Sequence, residues 1–375
     1  MCLNNKNEFP KFECYLSKGD VMKSNTFYKT CLIPLILLSL LLSACGQSKT
    51  EQGADPNASE QLETTPETEV ESQPSGYIAP LTGLPTDQPV TDRPIAVMIN
   101  NMAKARPQSG LTHADIVYEV LAEGGITRLV AIFQSDRFQD AIGPIRSIRP
   151  YLIDLGESYH GVLVHAGASN DAYAILQKQR KEHLDEITNA GTYFWRDKSR
   201  KAPHNLYSNL EKLREGADKK KYKKDEPLTT YPFAKEDDVP IGTDASKITL
   251  NFLLKNYTVT YDYDTESKLY KRSINGEPHI DLNSKEQLSA TNVVVLGADH
   301  RTLDDVGRLS VDLHKGGEAI LFQRGKEIIC TWQRTNPNDV IRLYKDGQEL
   351  PLYAGKTYYN IVPNQPTFGS HVKVE

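Results

Sequence analysis

The chain is poor in cysteine where it matters. Of five cysteines in 375 residues, four lie at or before position 45, which leaves Cys330 alone in the remainder. An intramolecular disulfide downstream of Cys45 is therefore excluded, as is a metal centre built on several thiolates. Cys330 itself, inside Glu327-Ile-Ile-Cys-Thr-Trp332, reads as a small buried hydrophobe. A basic excess is lacking too. The net charge is −5 overall, and residues 77–375 hold 38 basic against 39 acidic side chains. No general field draws in nucleic acid, and no polybasic segment addresses anionic lipid. The common catalytic signatures are also missing: there is no phosphate loop, no Gly-x-Gly-x-x-Gly and no His-Glu-x-x-His. No cofactor and no metal ligand set is called for. Ser370 and Lys373 stand at Ser-x-x-Lys spacing, but only a few residues from the C-terminus, with no helix to carry them. Asp262, Asp264 and Glu266 imitate the start of a calcium loop. Ser267 and Ser273 occupy the positions where such a loop needs glycine and glutamate, so an exposed hairpin is the better reading.

A long apolar run is absent as well. The best is Cys31-Leu-Ile-Pro-Leu-Ile-Leu-Leu-Ser-Leu-Leu-Leu42. As a helix it spans about 18 Å, too short for the roughly 30 Å of bilayer hydrocarbon. It suits the core of an export signal, with Lys23 and Lys29 ahead of it. Leu42-Ser-Ala-Cys45 resembles the lipobox of bacterial lipoproteins. That resemblance implies a diacylglyceryl group on Cys45, which becomes the mature N-terminus, and two acyl chains are what durable anchoring requires. Residues 1–44 are the signal region. Glu8, Glu13 and Asp20 are unusual before an export core, so Met22 is the expected start. The expected address is the extracytoplasmic face of the cell membrane, with the membrane as a partner through the lipid on Cys45.

Residues 45–76 form the expected linker. Gly46 to Gly76 is made of Gln, Ser, Thr, Glu, Pro and Gly, with one basic residue against seven acids. Such a segment buries too little surface to offset its ordering entropy. As a flexible coil it reaches roughly 30 Å.

The rest is long enough for two domains. Residues 77–225 alternate strand and helix signals. Pro94–Asn100 suits a buried strand. Ile116–Glu123 and Arg128–Phe133 flank Gly124-Gly125 as a hairpin, although Ile116, Val117, Val120 and Leu121 also share a helical face. Arg149–Tyr159, Asp171–Lys181 and Asn205–Lys219 read as helices, and Gly161–His165 as a strand. This mixture predicts an α/β domain. Residues 226–375 turn to period two. Thr258–Tyr263 faces Lys268–Ile274, Ala319–Phe322 returns as Glu327–Trp332 through Arg324-Gly325, and Val340–Tyr344 turns through Asp346-Gly347. The fold expected is thus α+β or α/β, an N-terminal mixed domain followed by a smaller, mainly antiparallel β domain.

Two constellations carry chemical content. Gly167-Ala-Ser169-Asn-Asp171 follows a strand and precedes a helix, the setting of a nucleophile elbow, with Asp171 in place of the second glycine. Ser169 or Asn170 also serves as a plain helix cap there. The other is a set of arginines: Arg93, Arg106, Arg128, Arg146, Arg149, Arg196 and Arg200. Arg146 and Arg149 lie in Gly143-Pro-Ile-Arg-Ser-Ile-Arg-Pro150, where a helix begins. Free N–H groups and guanidinium forks together receive carboxylate or phosphate. His204 and Asn205 mark another helix start. Pairing of these arginines with Asp115, Glu119 and Glu123, merely to hold loops, is an equal alternative.

The runs Pro80-Leu-Thr-Gly-Leu-Pro85, Arg93-Pro-Ile-Ala-Val-Met-Ile-Asn-Asn101, Ala114-Asp-Ile-Val-Tyr-Glu119, Glu123-Gly-Gly-Ile-Thr-Arg128 and Ile142–Pro150 resemble the YerB-type lipoproteins of Gram-positive bacteria. The resemblance implies an α/β domain joined to a β domain and supplies no catalytic residues. The leading expectation is a non-catalytic envelope module. It binds an anionic ligand, such as a peptidoglycan or wall-polymer fragment or an acidic envelope protein, through Arg106, Arg128, Arg146 and Arg149 with His204 and Asn205. The alternatives are a hydrolase of envelope glycan or peptide, using Ser169, His204 and Glu119 or Glu123, and a scaffold for membrane-bound wall-synthesis proteins.

Overall fold

A computed structural model describes residues 76–336 and 338–375. The expected export segment, Cys45 and the expected linker as far as residue 75 lie outside the described residues.

The first half contributes β1 (Ile95–Asn100), β2 (Ile116–Leu121), β3 (Thr127–Phe133), α1 (Pro150–Glu157), β4 (Val162–His165), α2 (Asn170–Lys178), β5 (His183–Asp185) and α3 (Leu210–Lys219). The second half contributes β6 (Lys247–Asn251), β7 (Thr258–Asp264), β8 (Leu269–Ile274), β9 (Asn292–Thr302), β10 (Gly317–Gln323), β11 (Lys326–Gln333), β12 (Arg342–Lys345), β13 (Thr357–Pro363) and β14 (Val372–Val374). The order in the large sheet is β12-β11-β10-β9-β13-β2-β3-β1-β4-β5. Strands from both halves thus share one sheet. Strand β13 is the seam: it lies between β9 and β2 and is parallel to both. A smaller antiparallel sheet has the order β8-β7-β6-β14.

The balance is more β than the α/β expectation for residues 77–225. Ile116–Leu121 fits both periods, and pairing decides it as strand. Leu121 sits opposite Thr127 across the Gly124-Gly125 turn, and all six residues of β2 are buried. A strand covered on both faces reads as a continuous apolar run, which is why its period was ambiguous. The three helices are short. Pro150 occupies the first turn of α1, Ser169 caps α2 by accepting from Ala172 N at 3.3 Å, and Asn209 caps α3 at Lys212 N, 2.9 Å. The hairpins expected at 258–274, 319–332 and 340–349 are present.

Each face of the large sheet has its own cover. Ala96, Met98, Tyr118, Val120, Val130 and Ile132 pack beneath Leu152 and Leu155 of α1 and Leu176 of α2. On the other face Val97, Ile99, Val117, Leu121, Ala131, Val293 and Val295 meet Ile248, Leu250, Val259 and Tyr270 of the small sheet. Period-two alternation assigns these two sets. Cys330 is buried, and burial pushes its thiol up to about 12. Among the described residues, no helix is long and apolar enough to cross a membrane.

Candidate functional site

Strands β13, β2, β1, β4 and β5 all end at the same edge of the large sheet, and β3 begins there. In open sheets with parallel strands this edge is the usual ligand crevice. Here it is occupied by the chain itself. Residues 144–148 run as an extended segment between the outgoing ends of β1 and β4. Asn100 N donates to Pro144 O (2.8 Å) and Arg146 N to Met98 O (2.8 Å), while Ala166 N donates to Arg146 O (3.1 Å) and Ile148 N to Gly167 O (3.0 Å). Gly167 turns the chain with φ +74°, a conformation glycine adopts without penalty. The segment delivers Arg146 and Arg149 to the strand ends, next to Arg128 on β3.

Their environments differ. Arg128 is 3% exposed. Its Nη1 donates to Ser147 O, and its Nε is buried without a partner. Burial first, then the charges of Arg149 and Arg146, lower its pKa to about 10. Arg149 donates from Nε to Glu123 and from Nη1 to Ile148 O at 2.8 Å. Burial alone would raise the Glu123 carboxyl, but the hydrogen bond and charge of Arg149 outweigh it and hold it below the usual range. Arg146 is half-buried and makes no side-chain hydrogen bond or ion pair with any described residue. Burial and then Arg149 disfavour its charge, with Glu123 offsetting them. The neighbouring His204 is held below its usual pKa by burial, then by Arg146, Lys104 and Arg200. Three guanidiniums thus share the single carboxylate of Glu123.

The other expected site residues are placed elsewhere or are already occupied. Arg106 is set apart, over the ring of Tyr257 at 5.4 Å. Asn205 accepts from Arg196 (3.1 Å) and donates to the carbonyls of Asp197 (3.1 Å) and Arg200 (3.3 Å), which leaves it a local brace. Arg93 pairs with Glu182, Arg196 with Glu186 at 3.0 Å, and Arg200 holds the carbonyls of Ala105 and Pro107. Of the three acids considered as arginine partners, only Glu123 serves one of these arginines. Asp115 accepts from Gln134 N and Ser135, and Glu119 pairs with Arg272 across the sheets. The hydrolase constellation is not assembled. Ser169 is a helix cap, His204 Nδ1 faces Asn100 Nδ2 at 2.9 Å, and Glu119 is enclosed between the sheets. No nucleophile touches a base among them.

Sequence reasoning missed the support beneath this edge. Asp185 accepts from Gly167 N (2.7 Å), Tyr173 OH (2.9 Å) and Thr188 Oγ1 (2.7 Å). His165 bridges Gly167 O (2.9 Å) and His183 Nδ1 (3.0 Å). These groups fix the turn on which the Arg146 segment rests. The alternate placing of His183 and Asp185 on one short strand was the available signal. Among the described residues, no group of three or more His, Cys, Asp or Glu is arranged to hold a metal.

The architecture and this edge define a two-sheet protein with a cation-rich strand-end edge, at which Ser169, His204 and Glu119 form no catalytic dyad. The chain belongs to the DUF3048 family, proteins of unknown function: the N-terminal domain model matches residues 81–223 and the C-terminal domain model residues 248–359. It is 38% identical over 289 residues to YerB of Bacillus subtilis (strain 168), a protein named as a candidate lipoprotein, covering 76% of this chain and 86% of that one. The crystal structure of the B. subtilis YerB protein superposes with a TM-score of 0.73 at 36% identity, over 80% of this chain and 99% of that chain. Both family models contribute strands to the large sheet.

Proposed function

We propose that this protein is a non-catalytic envelope module, tethered to the membrane through a lipid on Cys45, that captures an anionic ligand at the arginine-rich strand-end edge. The observation that supports the capture is the charge imbalance there. Among the described residues Arg146 makes no side-chain hydrogen bond or ion pair, Arg128 has a buried Nε without a partner, and Glu123, whose charge all three arginines share, is hydrogen-bonded to Arg149. A guanidinium held half-buried and unpaired costs stability, and an incoming carboxylate or phosphate repays that cost with charge-assisted hydrogen bonds. A peptidoglycan stem carboxylate or a wall-polymer phosphate has the right chemistry. The lipobox-like Leu42-Ser-Ala-Cys45 and the relative named as a candidate lipoprotein support the tether. Arg146→Gln tests the capture: affinity for the anion falls at least about tenfold, equivalent to 1.4 kcal/mol, while the fold is retained. Labelling of cells with a fatty acid tests the tether, since Cys45→Ser abolishes incorporation.

A further inference from the structure

A separate charge imbalance lies between the sheets. Arg272 is fully buried and spends its fork on Glu119 (2.7 Å), the Tyr261 hydroxyl (2.9 Å) and His279 Nδ1 (3.0 Å). Since arginine only donates, His279 Nδ1 accepts. Its Nε2 therefore carries the proton and donates to Gln108 Oε1 at 2.7 Å. His279 is thus neutral, and burial, then Arg272 and Arg106, keep its pKa well below the usual value. Glu119 also accepts from Tyr257, Thr127 and Asn101, so its oxygens are taken.

Arg106 is left over. It makes no side-chain hydrogen bond or ion pair with any described residue, and only the ring of Tyr257 lies under it. Two guanidiniums against one carboxylate leave a single positive charge. That charge faces an open surface depression of about 360 Å³ lined by Ala103, Pro107, Ile274, Pro278 and Ile280, with Glu277 and His279 also among its lining residues. The loop that carries Arg106 is held in place from behind, because Arg200 donates to the carbonyls of Ala105 and Pro107, both at 2.8 Å.

We infer that this depression is a second ligand site, for a monocarboxylate on an apolar body. The carboxylate pairs with the Arg106 fork, and the body lies against Ile274, Pro278 and Ile280. A planar carboxylate matches one guanidinium with two parallel hydrogen bonds. One spare guanidinium fork matches one carboxylate, and the exposed Glu277 carboxylate at the same depression disfavours a dianionic phosphate. Apolar walls with a few fixed polar groups, here Arg106, His279 and Glu277, favour a ligand of mixed character. The depression shares no residue with the Arg128, Arg146 and Arg149 cluster, so it stands or falls independently of it.

The test uses the full chain in detergent, with N-acetyl-leucine as probe, N-acetyl-leucinamide as its uncharged twin and inorganic phosphate as competitor. Calorimetric titration and thermal unfolding are both read. The acid binds and raises the unfolding temperature, the amide binds at least about tenfold more weakly, and phosphate does not compete. Arg106→Gln abolishes the binding of the acid that saturating phosphate leaves in place. Should Arg106→Gln also lower the unfolding temperature of the free protein, Ala103→Trp decides. It fills the depression from an exposed wall and leaves the network intact, and it blocks the acid. Equal binding of acid and amide, no binding of the acid at millimolar concentration, or binding that survives Ala103→Trp overturns the proposal.

Discussion

Glu119 on β2 and Arg272 on β8 form an ion pair at 2.7 Å, with side chains 2% and 1% exposed, and through it the large sheet grips the small one. Removal of one partner leaves the other charged and buried. Glu119→Ala is therefore expected to cost about 3–5 kcal/mol. The double variant Glu119→Leu with Arg272→Met is expected to lose less than either single change, because it strands no charge. Urea unfolding of Glu119→Leu, Arg272→Met and the double variant checks this, and a double variant that loses as much as either single contradicts it.

Ser169 caps α2, and its replacement is expected to act on stability rather than chemistry. Ser169→Ala removes a hydrogen bond to Ala172 N and should cost about 1 kcal/mol, with ligand binding at the strand ends intact. A serine-directed covalent probe should leave Ser169 unlabelled. Labelling there, lost in the variant, would establish the hydrolase reading instead.

Acid should destabilise the protein well above the carboxylate range. His165 is fully buried, and desolvation lowers its pKa to about 4 from an ordinary 6.5, with Asp185 opposing and His183 adding to the shift. The folded state therefore binds fewer protons than the unfolded one between these values. Stability is complete above pH 6.5, falls as the pH drops towards 4, and levels below that. The shift corresponds to roughly 3 kcal/mol. Denaturant unfolding from pH 7.5 to pH 4.5 follows the loss, and His165→Phe should flatten its slope.

Gly355 has no room for a side chain. Its φ is +140°, and an added Cβ would lie 1.8 Å from Thr291 Oγ1. Gly355→Ala is expected to destabilise by about 1–3 kcal/mol, with Thr291→Ser in the same chain recovering little because the hydroxyl stays. Thermal unfolding reads both.

How much of this was legible in the sequence follows from contact range. The hairpin of β7 and β8 announces itself because both strands and the turn at Ser267-Lys268 lie within one short stretch. The seam strand β13 does not. Thr357–Pro363 pairs in parallel with residues from about 292 and from about 116, so no local turn marks it. The same distance hides the function of Glu119. In a β-branched run it reads as an acid free to meet a nearby arginine, yet its partner lies 153 residues away. Arg146 and Arg149 were legible because the close spacing of two prolines and two arginines forces an extended segment ahead of a helix. Arg106 carries no comparable local mark, and only the packing of the two sheets shows that it faces a depression of its own.

The most direct test of the central proposal is thermal unfolding of the full chain in detergent against soluble wall fragments, phosphorylated sugars and pyrophosphate. A ligand at a thousand times its Kd adds roughly 4 kcal/mol, a shift of several degrees. The account predicts that at least one anion produces such a shift, that Arg146→Gln removes most of it, and that Arg106→Gln leaves it in place. A panel in which no anion gives a shift that Arg146→Gln removes would contradict anion capture at the strand ends.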